Sequence, residues 1–125
     1  MAEYSKSGMI NLRGTYQTNY YQPPVDVIET TTGFIVRIEI AGMDEKDFDI
    51  KINQNILSVN GIRRDPNRNL TFYQMEIHFG EFRIEQHMNQ PIRSDAISTK
   101  YQNGFLEILL QKTIAQEISI TDKDA

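Results

Sequence analysis

The chain of 125 residues contains no cysteine. Disulfides, thiolate metal sites and cysteine nucleophiles are therefore excluded. The absence of cysteine suits a reducing compartment, and we expect the protein to be cytoplasmic. No stretch approaches the roughly 18 apolar residues of a membrane span, and the first residues lack the continuous apolar run of a signal peptide. We therefore expect no membrane span and no secretion.

A concentrated basic patch is also missing. The net charge is −4, and the 13 Lys and Arg residues are spread along the chain. The densest basic run is Arg63-Arg64. Because a surface that follows nucleic-acid phosphates needs clustered positive charge, we expect no nucleic-acid partner.

Motifs for catalysis or cofactor binding are absent as well. The sequence has none of the glycine-rich or serine motifs that mark nucleotide binding and serine hydrolysis. His78 and His87 are the only histidines; without convergent carboxylates at ligand spacing, we interpret them as surface or strand-filling residues. The acidic residues Asp44, Glu45 and Asp47 lack the EF-hand pattern and are interpreted as a solvated turn. We expect a protein that is not an enzyme and holds no metal or cofactor.

The sequence does contain a repeated alternation of apolar and polar residues. In residues 34–40, Phe34 and Val36 fall on one face and Arg37 and Glu39 on the other, which is the period of a half-buried strand. No helical period of useful length appears. The pattern predicts strands over residues 25–29, 34–40, 48–53, 56–60, 75–85 with a bulge or bend at Gly80, 96–100 and 105–110.

Turn residues separate these segments. Gln54-Asn55 predicts one hairpin, Asn103-Gly104 predicts a second, and Gly61 is expected to end a strand. We predict an all-β fold, an antiparallel, immunoglobulin-like β-sandwich of seven to eight strands that lacks the Cys…Trp…Cys core of antibody domains. Its predicted aromatic core residues are Phe34, Phe48 and Phe105.

Composition divides the chain into three parts. Residues 1–22 are a polar arm without a clear period, which we expect to be flexible. Pro23-Pro24 marks the entry to a domain over residues 23–112. Residues 113–125 form a polar tail that carries the apolar pair Ile118 and Ile120.

Six short motifs occur along the chain in a fixed order. They are Pro24-Val25-Asp26-Val27-Ile28-Glu29, Ile40-Ala41-Gly42-Met43, Leu57-Ser58-Val59-Asn60-Gly61-Ile62-Arg63, Glu76-Ile77-His78-Phe79-Gly80-Glu81-Phe82-Arg83, Tyr101-Gln102-Asn103-Gly104-Phe105-Leu106 and Ile118-Ser119-Ile120. In this order and spacing the chain resembles the small heat-shock proteins, with their α-crystallin domain over roughly residues 23–112. Departures from the family pattern are Ala41 for the commonest proline, Ile84 for a second arginine, Asn89 for a proline, Thr99 for the usual alanine, and a short N-terminal arm.

The resemblance implies an ATP-independent chaperone, a holdase that binds unfolding proteins and prevents their aggregation. It also implies self-association, with a dimer as building block of a higher oligomer. The isoleucine pair of one chain is expected to dock into a groove on a neighbour, because residues i and i+2 of an extended segment point the same way. The implied groove residues are Phe48, Ile50 and Ile52 on one wall and Ala96 and Ser98 on the other.

The resemblance further implies a dimer built by strand exchange. A strand containing Leu70, Phe72 and Tyr73 is expected to pair with the partner's opening strand near Val25 and Val27. A plain loop with buried aromatic residues is the alternative. Two alternatives remain for the apolar and aromatic residues of the arm: they contact clients or neighbouring protomers, or they are disordered. These residues are Met9, Ile10, Leu12, Tyr16, Tyr20 and Tyr21.

Two other functional classes remain open at this point. Co-chaperone modules with a dedicated protein partner share the sandwich architecture but lack the Ile-x-Ile tail and the long exchanged connection. A structural or carbohydrate-binding sandwich would show a strip of stacked aromatic residues and would bind no unfolded protein.

Overall fold

The computed structural model describes residues 20–67 and 69–113. Within them the chain forms seven β-strands and one short 3₁₀ turn at Glu45–Asp47. The strands are β1 Val25–Glu29, β2 Gly33–Glu39, β3 Asp49–Asn53, β4 Ile56–Arg63, β5 Gly80–His87, β6 Ser98–Gln102 and β7 Phe105–Gln111. The predicted arm up to residue 19 and the tail from residue 114 lie outside the described residues.

The strands form two antiparallel sheets with the orders β1-β2-β7-β6 and β3-β4-β5. This confirms the predicted antiparallel sandwich. Both predicted hairpins are present, with the β3–β4 turn at Gln54-Asn55 and the β6–β7 turn at Asn103-Gly104. Asn103 and Gly104 have φ of 55° and 81°, and positive φ at both turn residues matches the right-handed twist of the flanking strands.

The core lies between the two sheets and is built by alternate residues of the inner strands. Val36 and Ile38 of β2 oppose Ile108 and Leu106 of β7, and all four side chains are essentially inaccessible to solvent. Each fully buried side chain of this size contributes roughly 1.5–3 kcal/mol. The buried core residues are Phe34, Val36, Ile38, Ile40, Leu57, Val59, Phe82, Ile84, Met88, Ile92, Leu106, Ile108 and Leu110.

The three phenylalanines predicted for the core have different environments. Phe34 is buried, and Phe48 is half-buried against the core. Phe105 was predicted wrongly: it opposes Glu39, lies on the outward face of its sheet and is 41% exposed. The alternation in β7 assigns the inward positions to Leu106 and Ile108, which leaves the outward positions to their neighbours.

Gly61 lies inside β4 and does not end it, contrary to the prediction. The strand continues to Arg63, and Gly61 pairs with Phe82 of β5. A Cβ atom at Gly61 would lie 2.6 Å from Cζ of Phe82 and 3.1 Å from the backbone oxygen of Asp47. The glycine therefore makes room for the Phe82 ring beneath β4.

β5 is shorter than predicted. The alternation over residues 75–85 indicated one bent strand, but β5 begins at Gly80, whose φ is 107°. Met75 and Ile77 precede the strand and are exposed. Apolar alternation identifies a segment that can pair as a strand, but it does not supply a partner, and residues 75–79 have none within the described part of this chain.

The folded unit begins before the predicted boundary at residue 23. The backbone N–H of Tyr21 donates to the Glu81 carbonyl at 3.0 Å, and the N–H of Arg83 donates to the Tyr21 carbonyl at 3.0 Å. Tyr21 thus adds a parallel bridge to the free edge of β5, and it packs against the core. Part of the β5 edge is covered in this way, which limits unwanted pairing there.

Candidate interaction surfaces

The edge strands β3 and β6 meet on one side of the sandwich. The ring of Phe48, just before β3, lies 5.2 Å from the ring of Tyr101 in β6, measured between centroids. Phe48 also lies 6.0 Å from the core ring of Phe82 in an edge-to-face arrangement. Because each sheet ends at one of these strands, their unpaired backbone groups and inward side chains border the same opening between the sheets. We call this opening the edge groove.

One wall of the edge groove is formed by β3. Ile50 and Ile52 oppose Val59 and Leu57, two core residues, so both isoleucines point into the sandwich. Both are only half-buried although they pack against the core. Part of their apolar surface therefore remains exposed along this edge, where Phe48, Ile50 and Ile52 were predicted to line a docking groove.

The other wall of the edge groove differs from the expectation. Ser98 opposes Leu109, which is 43% exposed on the outward face, so Ser98 points away from the groove. Thr99 opposes the core residue Ile108 and therefore points inward. Ile97 packs against the core, whereas Ala96 lies half-buried before β6. A shift of one residue exchanges the two faces of a strand. The side chains on this wall are therefore those of Ile97 and Thr99, where Ala96 and Ser98 were predicted.

Beside the start of β6, Arg93 and Asp95 form a surface ion pair. Arg93 donates from Nε and Nη2 to the two carboxylate oxygens of Asp95, at 3.2 Å each. These hydrogen bonds hold the pKa of the Asp95 carboxyl below its usual range. Since the side chains of Arg93 and Asp95 are 40% and 73% exposed, the pair fixes local geometry more than it stabilises the fold.

Tyr101 joins two of the sequence motifs at the end of the edge groove. Its hydroxyl donates to the Ile40 carbonyl at 2.8 Å and accepts from the Met43 N–H at 3.2 Å. The turn after β2 is thereby fastened to β6. The motifs 40–43 and 101–106 are distant in sequence but form one structural unit.

Replacing Tyr101 with phenylalanine is expected to lower the free energy of unfolding by about 1–2 kcal/mol, since one donor and one acceptor of the turn lose their partner. Urea unfolding followed by circular dichroism at fixed protein concentration measures this change. Tyr73→Phe is the matched control, because it removes a hydroxyl that is exposed in the single chain and keeps the aromatic ring. Equal stability of the two variants would show that the Tyr101 bonds are dispensable.

The opening strand β1 presents the second free edge of the larger sheet. Val25 opposes Ile38 and Val27 opposes Val36, so both point inward. Val25 packs against the core, whereas Val27 is 39% exposed. β1 therefore offers both unpaired backbone groups and uncovered apolar surface.

Residues 64–79, which we call the connecting segment, link β4 to β5 and carry half of the exposed large apolar side chains among the described residues. The described residues of this segment, 64–67 and 69–79, contain no strand in the single chain. Exposure reaches 66% for Leu70 and 67% for Ile77 and is complete for Tyr73. The exposed members are Leu70, Phe72, Tyr73, Met75, Ile77 and Phe79. The alternative of a loop with buried aromatic residues therefore does not describe this chain, since Phe72 and Tyr73 are exposed.

Arg63 and Tyr21 hold the end of the connecting segment. Arg63 donates from Nε to the His78 carbonyl at 3.0 Å, donates to the same oxygen from Nη2, and reaches the Ala41 carbonyl from Nη1 at 3.3 Å. Its guanidinium also lies over the Phe79 ring. The Tyr21 ring stacks on His78 with 4.2 Å between centroids. His78 thus acts as a packing residue beside the strand, consistent with its interpretation from the sequence.

Other predicted site residues fall outside the described residues. These are Ile118 and Ile120 of the tail and Met9, Ile10, Leu12 and Tyr16 of the arm. Within residues 20–67 and 69–113, no three His, Asp or Glu side chains come together as metal ligands. The same residues form no helix with the length and apolar character needed to cross a membrane.

Comparison with known proteins assigns the chain to a family. The model of the Hsp20/alpha crystallin family matches residues 26–123. The chain belongs to this family. The small heat shock protein C2 of Rickettsia felis is 30% identical over 92 residues, which cover 72% of this chain and 60% of that protein. Spore protein SP21 of Stigmatella aurantiaca is 29% identical over 94 residues, covering 74% of this chain and 56% of that protein. This Hsp20 chain thus spans less than two thirds of these relatives.

Solved structures show the same architecture. The hspA protein of Xanthomonas axonopodis superposes with a TM-score of 0.68 at 26% identity, over 74% of this chain and 94% of that one. A small heat-shock protein from Xylella fastidiosa, whose structure is described as a distinct high order structure, gives a TM-score of 0.66 at 26% identity, over 74% and 86% of the two chains. The β-sandwich of this Hsp20 chain is therefore an α-crystallin domain.

Proposed function

We propose that this small heat-shock protein is an ATP-independent holdase that binds unfolding proteins and keeps them from aggregating. The observation that carries the proposal is the exposure of Met75, Ile77 and Phe79 at the end of the connecting segment; residues 70–73 of the same segment are assigned to the dimer below. Exposed apolar residues scattered singly are common, but a run of them within one short segment marks an interaction surface. Unfolding proteins expose apolar side chains and unpaired backbone, for which such a surface and open strand edges are suitable partners. We place this activity in the cytoplasm, which the absence of cysteine supports.

The same features support a dimer built by strand exchange. Leu70 and Phe72 are spaced so that both point to one side of an extended strand. β1 of a second copy supplies a free edge and the uncovered side chain of Val27. Pairing of residues 70–73 with the partner's β1 would satisfy the backbone of both segments and cover their apolar side chains. The small heat-shock protein from Xylella fastidiosa has a distinct high order structure, which supports self-association in this family.

For higher assembly, we propose that Ile118 and Ile120 dock in the edge groove of a neighbouring protomer. Ile50, Ile52 and Ile97 supply apolar surface there, and the family match extends to residue 123, past the tail motif. Two buried isoleucines contribute roughly 1.5–3 kcal/mol each, and ordering the tail offsets much of that gain. Each contact is therefore weak alone, whereas several in one oligomer hold through avidity.

The variant Ile118→Ala/Ile120→Ala is expected to reduce the oligomer to a smaller species, because each docked tail loses roughly 2–4 kcal/mol of apolar contact. Light scattering coupled to size-exclusion chromatography measures the mass. Ser119→Ala is the matched control, since it changes the same tail but leaves both isoleucines in place. An unchanged mass of the double variant at all concentrations would contradict tail docking.

The holdase proposal itself is tested with a heat-denaturing client in nucleotide-free buffer. We expect this chain at near-stoichiometric concentration to suppress light scattering from the client, whereas serum albumin at equal mass does not. Unchanged scattering at several-fold excess across temperatures would reject general chaperone activity and leave a module with a dedicated protein partner.

A further inference from the structure

The outward face of the β1-β2-β7-β6 sheet carries a regular row of charges. Asp26 opposes Arg37, Arg37 opposes Glu107, and Glu107 opposes Lys100, so one side chain from each strand forms the row. Across the sheet the signs alternate as negative, positive, negative, positive. Arg37 donates from Nη2 to the Asp26 carboxylate at 2.8 Å, so the row is already ordered at one end.

An apolar row runs across the same face beside the charges. Ile28 opposes Ile35, and Ile35 opposes Leu109, whose other neighbour is Ser98. Ile28 and Leu109 are 37% and 43% exposed. None of these residues belongs to the edge groove or to the connecting segment. No surface described above accounts for this apolar row.

We propose that this outward face is a contact surface for a second copy of the chain, related to the first by a two-fold axis that runs parallel to the strands between β2 and β7. That rotation places β1 over β6 and β2 over β7 of the second copy. Asp26 of each copy then faces Lys100 of the other, and Arg37 of each copy faces Glu107 of the other. Ile35 faces Leu109 in the apolar row. Every charge of the row meets the opposite sign.

The charge pattern selects this arrangement. A two-fold axis that runs along the row, across the strands, would place each charge over its own copy, and like charges in contact cost several kcal/mol. Four strands spaced about 4.8 Å apart, over five residues of about 3.4 Å each, give a flat face of only roughly 300 Å². Stable pairs bury about 800 Å² per partner, so the contact is weak and operates within larger assemblies through avidity.

This face contact is separate from the contacts proposed above for the holdase. Those contacts use the edge of β1 and the edge groove between β3 and β6, whereas the face contact leaves both of these sites free. One protomer can therefore exchange a strand, receive a tail and make the face contact at once. The inference concerns self-association alone and does not depend on chaperone activity.

Because the chain has no cysteine, single cysteine variants test the geometry directly. The full-length variants Ile28→Cys and Ser98→Cys are mixed and treated with a bismaleimide that spans the roughly 10 Å between packed sheets. In the proposed arrangement residue 28 of one chain faces residue 98 of the other, but each is remote from its own copy. We expect crosslinked dimers in the mixture and few with either variant alone. A yield no higher in the mixture than in the single variants would overturn the proposal.

Charge variants in the same cysteine background show whether the charge row drives the contact. With Glu107→Lys in both chains, each Arg37 faces a lysine, and we expect a loss of crosslinked dimer of at least roughly tenfold. When one chain carries Glu107→Lys and the other Arg37→Glu, opposite charges meet again and the yield is expected to recover. A folding defect cannot be reversed by mixing two variants. An equal yield in all three mixtures, or no recovery in the last, would overturn the proposal.

Discussion

The triple variant Leu70→Ser/Phe72→Ser/Tyr73→Ser is expected to dissociate the protein into folded monomers. In the single chain these side chains are exposed, so their replacement removes little that stabilises the monomer. In the proposed dimer each buried side chain contributes roughly 1.5–3 kcal/mol. Even with offsetting losses of chain freedom, the dissociation constant should rise by at least about 100-fold. Sedimentation velocity over a range of concentrations measures this shift.

The matched control for this variant is Thr71→Ser, which lies within the same segment and is also exposed. It should keep the mass of the unmodified protein. Circular dichroism of the triple variant should retain the strand spectrum. A triple variant with unchanged mass would contradict strand exchange through the connecting segment, and the dimer would then have to form elsewhere.

Gly33→Ala is expected to lower the free energy of unfolding by roughly 3 kcal/mol or more. Gly33 opens β2 and pairs with Gln111 of β7. A Cβ atom at this position would lie 1.9 Å from the backbone oxygen of Leu110. Since the obstructing atom belongs to the backbone of a central strand, a change of side-chain rotamer cannot relieve the clash, and the two strands must separate.

Thr32→Ala is the control for Gly33→Ala, because Thr32 is exposed and its carbonyl, which accepts from the Lys112 N–H, is unchanged. Urea denaturation should place the control close to the unmodified protein. A difference in free energy of unfolding of no more than about 0.5 kcal/mol between Gly33→Ala and the control would be no larger than the effect of an ordinary surface substitution. That result would contradict the tight approach of β2 to β7.

The sandwich could be predicted from the sequence because its strands alternate strictly. Phe34, Val36 and Ile38 mark the inward face of β2 whatever their partners are. Asn103-Gly104 places one hairpin, since few other residue pairs accept positive φ at both turn positions. The break in alternation at Gln54-Asn55 places the other. Length and alternation thus determine the class of fold and most of its strands.

Faces and partners were harder to predict because both depend on register. In β6 the pairing of Thr99 with Ile108 places Thr99 inward. The sequence of residues 96–100 does not indicate whether Ala96 and Ser98 or Ile97 and Thr99 face the core. Phe105 was misassigned for the same reason, since both it and Leu106 are apolar. Met75 and Ile77 alternate as in a strand, yet the single chain offers them no strand to pair with. The alternation of residues in one chain does not show which strand of another chain would pair with them.

The central claim is that this chain holds unfolding proteins, and co-elution tests it most directly. A client is heated above its unfolding temperature with this chain in nucleotide-free buffer, cooled, centrifuged and separated by size-exclusion chromatography. We predict that the client remains in the supernatant and elutes with this chain in a complex larger than either protein alone. Client found in the pellet, with this chain eluting at its own unchanged position, would contradict the claim.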